Sequence, residues 1–361
     1  MEPIKLILAS NSWSNFLINL SEMGNSGEVR KVKGDAFEFL TKLFLLTDPI
    51  FLSLFNDVIH HTELTITQRD HLKLPHPEVG VDLIGTYKDG TYCAIQCKFH
   101  QNREENVSYD ELKTFFSVTE RQETYSKLSH RLICVSTDQV SNTVTKIHKE
   151  KLGFLTYSDF SILDEERFDA IHKILKGDRL SFPLLKPRNH QISAISKSDD
   201  YFVTTAVNRG KIIHPCGSGK SLTAYWIAKD QEARSVLLAV PSLALVRQTL
   251  SAWAKQALAD STEIDYMAVC SDKDVDQIDA ATMNVHDLGI RSTTDPDLIS
   301  KFILSPGKSL KLIVTTYQSG PAIIAAVKRT NHIFDIGFFD EAHKTTGDKT
   351  KRFALLLDDD Q

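Results

Sequence analysis

KIIHPCGSGKSLT, residues 211–223, places Gly217 and Gly219 directly ahead of Lys220 and Ser221, and FFDEAH, residues 338–343, answers it much later in the chain. Glycines let backbone N–H groups close on phosphate oxygens, and a helix opening at Lys220 points its positive end at the same place. In that reading Gly217, Ser218 and Gly219 form a cradle. The Lys220 ammonium neutralises the β- and γ-phosphates of a nucleoside triphosphate, and the Ser221 hydroxyl holds Mg²⁺. The apolar pair Ile212-Ile213 is expected to be the strand leading into the loop. The G-x-x-x-x-G-K-[ST] pattern is broken at one point, because His214 stands where its first glycine belongs. The second stretch compensates. Ile333 to Phe339 reads as a buried parallel strand with carboxylates just past its C-terminal end, Asp340 to bind Mg²⁺ through a water and Glu341 to polarise the attacking water. Together the two stretches predict an α/β lobe with a parallel sheet and a phosphate-binding loop.

Other segments fit around this pair. Val236 to Val240 makes an apolar strand, and Pro241-Ser242 starts a helix carrying Arg247 and Gln248. Leu312 to Gln318, LIVTTYQ, ends a further strand at Thr315 and Thr316, where hydroxyls and N–H groups meet DNA phosphates or serve only as strand-to-helix caps. With Pro-Cys-Gly-Ser-Gly-Lys-Ser and Asp-Glu-Ala-His in hand, the C-terminal half resembles superfamily 2 helicases and translocases, specifically their restriction-enzyme branch. The resemblance implies a RecA-like lobe that takes ATP and Mg²⁺ as cofactors and double-stranded DNA as partner. It makes Gln191, in Arg188-Asn189-His190-Gln191, the reader of adenine. Pro241, Ser242, Arg247 and Gln248 resemble the first DNA-contact motif, and Thr315 and Thr316 the next. Such enzymes hydrolyse ATP between two RecA-like lobes, the second supplying arginines. The chain ends at Gln361, so the expectation is an N-terminal fragment that binds ATP and turns it over slowly. A second lobe and methyltransferase or target-recognition domains are its expected partners.

The N-terminal half carries a second chemistry. Val79 to Ile84 reads as a strand, Lys88-Asp89-Gly90 as a turn, and Thr91 to Phe99 as the returning strand. Alternation puts Gln96 and Lys98 on one face and Ile95, Cys97 and Phe99 on the other, which faces the core. A two-residue turn pairs Asp82 with Cys97 and buries its carboxylate; a three-residue loop with Gly90 in the left-handed region pairs Asp82 with Gln96. The second register is preferred, and it gathers Asp82, Gln96 and Lys98 into one cluster. A carboxylate and an amide carbonyl suit a hard divalent ion, and an adjacent lysine suits a phosphate under attack. This cluster resembles the Mrr-like nucleases of the PD-(D/E)xK class, in the variant where glutamine replaces the second acid. The resemblance implies a restriction-endonuclease-like mixed sheet, and it makes Glu38 the acid contributed by an earlier helix, whose Phe37, Leu40 and Phe44 form a core stripe. Pro77 stands near the family's proline but not in its place. The pairing of the two halves resembles Type I or single-polypeptide Type ISP restriction enzymes.

Composition narrows the class. Five cysteines without a C-x-x-C spacing form neither a zinc site nor a disulfide framework. His60-His61, His71 and His76 lack metal-ligand spacing and read as surface imidazoles. The start MEPIKLILAS is too short an apolar run for a signal peptide, and no segment approaches the ~18 apolar residues of a membrane span, so a cytoplasmic, membrane-free location is expected. Net charge is −5, with 21 basic against 26 acidic side chains through residue 180 and 21 against 21 beyond. Neither half has the bulk positive charge of many DNA-binding domains, so strong independent DNA affinity is not expected. Punctuation divides the chain into a helical extension over 1–29, a nuclease domain over 30–176, a linker over 177–187 around Pro183 and Pro187, and the RecA-like lobe over 188–361. Ser271 to Asp287, rich in aspartate, reads as an insertion in that lobe. The reading is the nuclease and first ATPase lobe of an ATP-driven restriction enzyme. A repair or remodelling helicase using the nuclease fold only to bind DNA, and a non-catalytic nucleotide-binding remnant, are the alternatives.

Overall fold

The computed structural model describes residues 2–24, 26–75, 80–148, 151–204, 208–270 and 285–341. Pro77, Ala342, His343 and residues 271–284 of the expected insertion lie outside them. The chain forms two compact units, one of Met1–Leu180 with His286–Arg291, the other of the remainder.

The first unit opens with helices α1 (Glu2–Leu8), α2 (Trp13–Glu22), α3 (Gly27–Leu45) and α4 (Pro49–Leu54), then strand β1 (Phe55–His60), α5 (Ile66–Leu72), and the pair β2 (Leu83–Tyr87) and β3 (Tyr92–Lys98). It continues through β4 (Asn106–Val107), α6 (Tyr109–Thr119), α7 (Gln122–Tyr125), β5 (Leu128–Val135), β6 (Gln139–Val140), α8 (Asn142–Ile147), β7 (Leu152–Leu155), α9 (Tyr157–Phe160) and α10 (Glu165–Leu175). The sheet order is β1-β2-β3-β5-β7, with β2 antiparallel to its neighbours β1 and β3, and β5 and β7 parallel to β3. This is the expected mixed sheet.

Phe99 meets Phe37 of α3, whereas Ile84 and Ala94 pack with Leu112, Phe115 and Phe116 of α6, so both faces of the β2–β3 pair are covered. The expectation of one core face is corrected accordingly: Gln96 is only 3% exposed, on the side shared with Ala94. The N-terminal helices pack into the first unit. Trp13 stacks on Phe160 and contacts Phe37, while Ile7, Phe16 and Leu20 are buried. Those apolar residues recur at helical spacing and need a hydrophobic partner, which α3 and α9 supply.

The second unit contains α11 (Asn189–Asp199), α12 (Lys220–Asp230), β8 (Ser235–Val240), α13 (Leu243–Ala259), β9 (Ile264–Val269), α14 (Pro296–Leu304), β10 (Leu310–Thr316), α15 (Gly320–Thr330) and β11 (Ile336–Phe339). All four strands are parallel, in the order β11-β8-β10-β9. Every residue of β8 is buried, as a parallel strand covered on both faces requires. Two strand expectations are corrected. Ile212 and Ile213 form no strand among the described residues and are largely exposed, and Pro215 just beyond removes a ladder donor. Strand β11 starts at Ile336 instead of Ile333, because the Asp335 carboxylate occupies the Arg234 and Ser235 N–H groups at the mouth of β8, leaving Ile333 86% exposed.

Candidate active sites

In the first unit the hairpin sets the geometry. Gly90 has φ +80°, its N–H donates to Tyr87 O, and Tyr87 N–H donates to Thr91 O, which is the three-residue loop. Leu83 lies opposite Ile95 and Asp82 N–H donates to Ile95 O, so the ladder runs on to bring Asp82 beside Gln96. Asp82 Oδ2 accepts from Gln96 Nε2, and from the Cys97 backbone N–H at 2.6 Å. Two donors on one oxygen fix the plane of the carboxylate. Lys98 follows two residues on from Gln96, half-buried at the end of β3.

Glu38 approaches these strand ends from α3. Its partner is His60, whose Nε2 is 3.2 Å from Glu38 Oε2. That hydrogen bond, against the cost of burial, holds the His60 imidazole above its ordinary value, with Asp82 and Glu63 adding to it. Burial and then the Glu38 charge push the neighbouring Asp35 carboxyl up. His60 meets Glu38 while the N–H of the next residue, His61, donates to Asp82 O at 2.9 Å, so the acids share one neighbourhood. The structure brings Asp82 and Gln96 into direct contact and engages Glu38 with His60. The expectation that His60 is a surface imidazole is corrected. It was missed because its partner is on a helix far away in sequence. Among the described residues no group of three His, Cys, Asp or Glu side chains is arranged to hold a metal ion.

In the second unit Gly219, at φ +83°, ends the loop and α12 begins at Lys220. Lys220 Nζ lies 3.0 Å from Glu341 Oε1 and 3.5 Å from Asp340 Oδ1, so the loop and the acidic turn meet. Asp340 N–H donates to Ala239 O and its carboxylate accepts the Glu341 N–H, while Glu341 takes a left-handed φ of +53°. The Ser218 and Ser221 hydroxyls and His214 Nδ1 are buried without a partner. Orphaned polar atoms around a glycine loop fit a phosphate and its cation. Two residues that sequence reasoning missed brace the site: Tyr317 Oη donates to Asp340 O at 2.6 Å, and Trp253 Nε1 donates to Ser221 O at 3.0 Å. Both are fully buried aromatics that pattern alone assigns to the core.

Two protein families match the chain, one described as "Restriction endonuclease" over residues 46–170 and one as "Type III restriction enzyme, res subunit" over residues 184–358. The chain joins a restriction-endonuclease domain to a res-subunit helicase domain. A protein named probable helicase A859L from African swine fever virus (isolate Pig/Kenya/KEN-50/1950) is 30% identical over 213 residues, 58% of this chain and 22% of that protein. The structure of the ATP-dependent Type ISP restriction-modification enzyme LlaBIII bound to DNA superimposes with a TM-score of 0.71 at 24% identity. The match covers 94% of this chain and 21% of LlaBIII, and shows the shared fold. A nuclease-deletion mutant of the Type ISP enzyme LlaGI with a DNA substrate mimic matches at 30% identity and a TM-score of 0.36, over 46% of this chain and 13% of that one. The chain thus spans about a fifth of the length of the viral helicase and of LlaBIII.

Within the helicase domain the other expected residues fall in different settings. Gln191 is buried beneath the loop. Its Nε2 donates to Ser218 O, Gly219 O and Thr223 Oγ1, and its Oε1 accepts Arg188 N–H. Reading adenine would require this amide to exchange partners. Ser242 caps α13 through Leu245 N–H, with Pro241 and Arg247 half-buried and Gln248 exposed. Thr315 and Thr316 are fully buried, and Thr315 Oγ1 donates to Val269 O at 2.8 Å. Neither side chain is exposed to solvent, and β10 is flanked by β8 and β9. In the nuclease domain Glu38 precedes the matched range, whereas Asp82, Gln96 and Lys98 fall within it. Among the described residues no helix is long and apolar enough to cross a membrane.

Proposed function

We propose that the chain is the nuclease and first ATPase lobe of an ATP-dependent DNA restriction endonuclease, a cytoplasmic motor that draws double-stranded DNA and cuts its phosphodiesters. The observation that carries this reading is the Asp82–Gln96 pair, aligned by register and by the Cys97 N–H, in a chain that also sets Lys220 against Asp340 and Glu341.

Asp82, the Gln96 carbonyl and Glu38 are the hard oxygen donors available for Mg²⁺ or Mn²⁺. An ion held there supplies Lewis-acid activation of water and neutralises charge on the scissile phosphate. Asp82, fixed by its two donors, orients that ion, and the Lys98 ammonium steadies the phosphate as negative charge builds on it. Gln96 brings no charge, so metal affinity is modest. In the helicase domain Gly217, Ser218 and Gly219 cradle the phosphates, Lys220 transfers from the acids to the β- and γ-phosphates, Ser221 and Asp340 hold Mg²⁺, and Glu341 orients the water. Gln191 exchanges its loop contacts for adenine, and Pro241, Ser242, Arg247 and Gln248 line the DNA path. A second RecA-like lobe supplies transition-state arginines, and methyltransferase and target-recognition domains supply the site. The DNA bound to LlaBIII supports DNA as the substrate class.

The test is nicking of plasmid DNA with Mn²⁺, comparing the parent with Asp82→Ala and Lys98→Ala. Both substitutions are expected to abolish cutting. Cleavage that survives both in a clean preparation refutes the site. Absence of cutting with ATP and the partner domains present would favour a remodelling helicase whose nuclease fold only binds DNA.

A further inference from the structure

The turn that closes β1 contains four residues the nuclease reading leaves unused, His60, His61, Thr62 and Glu63. His60 Nδ1 accepts the Thr62 backbone N–H at 3.3 Å. Nδ1 also lies 2.7 Å from Thr62 Oγ1, so Thr62 holds that side of the ring and Nε2 is turned to Glu38 Oε2; a carboxylate accepts, so Nε2 donates to it. Glu63 takes the His60 N–H at 3.1 Å and the Lys42 ammonium at 2.7 Å. Glu38 and Lys42 stand one turn apart on the same face of α3, so the His60–Glu63 turn grips the helix at two points. The same turn also holds the other carboxylate's strand, because His61 N–H donates to Asp82 O at 2.9 Å and Arg69 Nη2 braces His61 O at 3.0 Å. One four-residue turn therefore ties the backbone of Asp82 to the carboxylate of Glu38.

We propose that His60 is a positioning residue that orders the Glu38 carboxylate beside Asp82 for a divalent cation, an inference that rests on the nuclease reading above. A partly buried glutamate still samples more than one rotamer, and a donor that selects one of them lowers the ordering cost of binding. Partners that orient a metal ligand typically contribute roughly ten- to a hundredfold in metal affinity, and the low end is expected here because His60 acts on one ligand only.

The experiment measures Mn²⁺ binding to the nucleotide-free chain by electron paramagnetic resonance, with thermal melting as a control on folding. His60→Ala is expected to weaken Mn²⁺ by about tenfold and to raise the Mn²⁺ needed for half-maximal nicking, with little change in the rate at saturating metal. His60→Gln, whose amide nitrogen lies near the position of Nε2, is expected to recover most of the loss, and His60→Asn is not. If His60→Ala fails to fold, the Gln and Asn variants decide, and equal affinities in the two overturn the proposal. Parent-like Mn²⁺ binding by His60→Ala, alongside loss in Asp82→Ala, overturns it too. Parent-like binding by Asp82→Ala removes the metal-site reading itself, and this inference with it.

Discussion

Replacing Lys220 with alanine is expected to weaken ATP·Mg²⁺ binding by about tenfold, and the contacts of the ligand-free lobe explain why the loss is not larger. A charge-assisted hydrogen bond contributes about 1.5–3 kcal/mol. Lys220 does not wait unpaired, however, because its ammonium already lies 3.0 Å from Glu341 and 3.5 Å from Asp340. Those side chains are about one-third exposed, so the pairing is screened and contributes only ~0.2–1 kcal/mol. Moving the ammonium to the phosphates therefore nets about 1–2 kcal/mol, close to the ~1.4 kcal/mol of a tenfold change. The Glu341 hydrogen bond, first among the causes, raises the lysine above its ordinary value, so the amine stays charged and the effect should be flat between about pH 6 and 9. The assay is titration calorimetry with a non-hydrolysable ATP analogue. Glu341→Gln should shift affinity the other way by a few-fold, since it removes the competitor for Lys220. Equal affinity in Lys220→Ala and parent, or weaker binding by Glu341→Gln, would refute the exchange.

Two further outcomes concern the first unit. Burial, followed by the nearby Arg291 charge, pushes the His130 imidazole down to about 3. The unfolded chain then takes up the proton first, so stability is intact above about pH 6.5 and falls as pH drops towards 3, by about 2 kcal/mol at pH 5. NMR should find the His130 ring neutral at pH 5, and a protonated ring in the folded protein would contradict this. Gly289 has φ +66°, and an added Cβ would stand 2.6 Å from Leu155 Cδ2 and 3.2 Å from Phe154 O. Gly289→Ala should therefore cost ~1–3 kcal/mol, read as a lower denaturant midpoint for the unit; an unchanged midpoint would show that the segment does not pack as described.

The parts legible in the sequence were those whose partners are close along the chain. The Lys88–Gly90 loop length set the register that put Asp82 against Gln96, and the helical spacing of Phe37, Leu40 and Phe44 marked the buried stripe of α3. The glycine loop and the acidic turn were readable because each is a compact motif, and the Lys220–Glu341 contact follows from their chemistry. Contacts across long separations were not readable. Nothing local ties His60 to Glu38, or Trp13 to Phe160, and alternation could not show that α6 covers the Gln96 side of the sheet. Nor could the sequence show that Thr315 and Thr316 are buried, because the strands that flank β10, β8 and β9, lie far from it along the chain. Gln191 carries no signal that its amide is spent on loop carbonyls.

Residues His286–Arg291 belong to the first unit although the sequence around them builds the second. Leu288 and Ile290 are buried there, His286 Nδ1 is hydrogen-bonded to Leu152 O, and the Arg291 guanidinium lies over the Tyr87 ring and pairs with Asp89. A gene rearrangement that cut after Leu180 would not move a complete nuclease domain, since six of its residues would stay behind with the neighbouring coding sequence. The same interruption orders events on the ribosome. Domains generally fold as they emerge, N-terminal first, yet this one cannot finish until Arg291 has been synthesised, when β8 and β9, two of the four strands of the second unit, already exist. The first unit therefore completes its fold only after half of the second unit's sheet has been made.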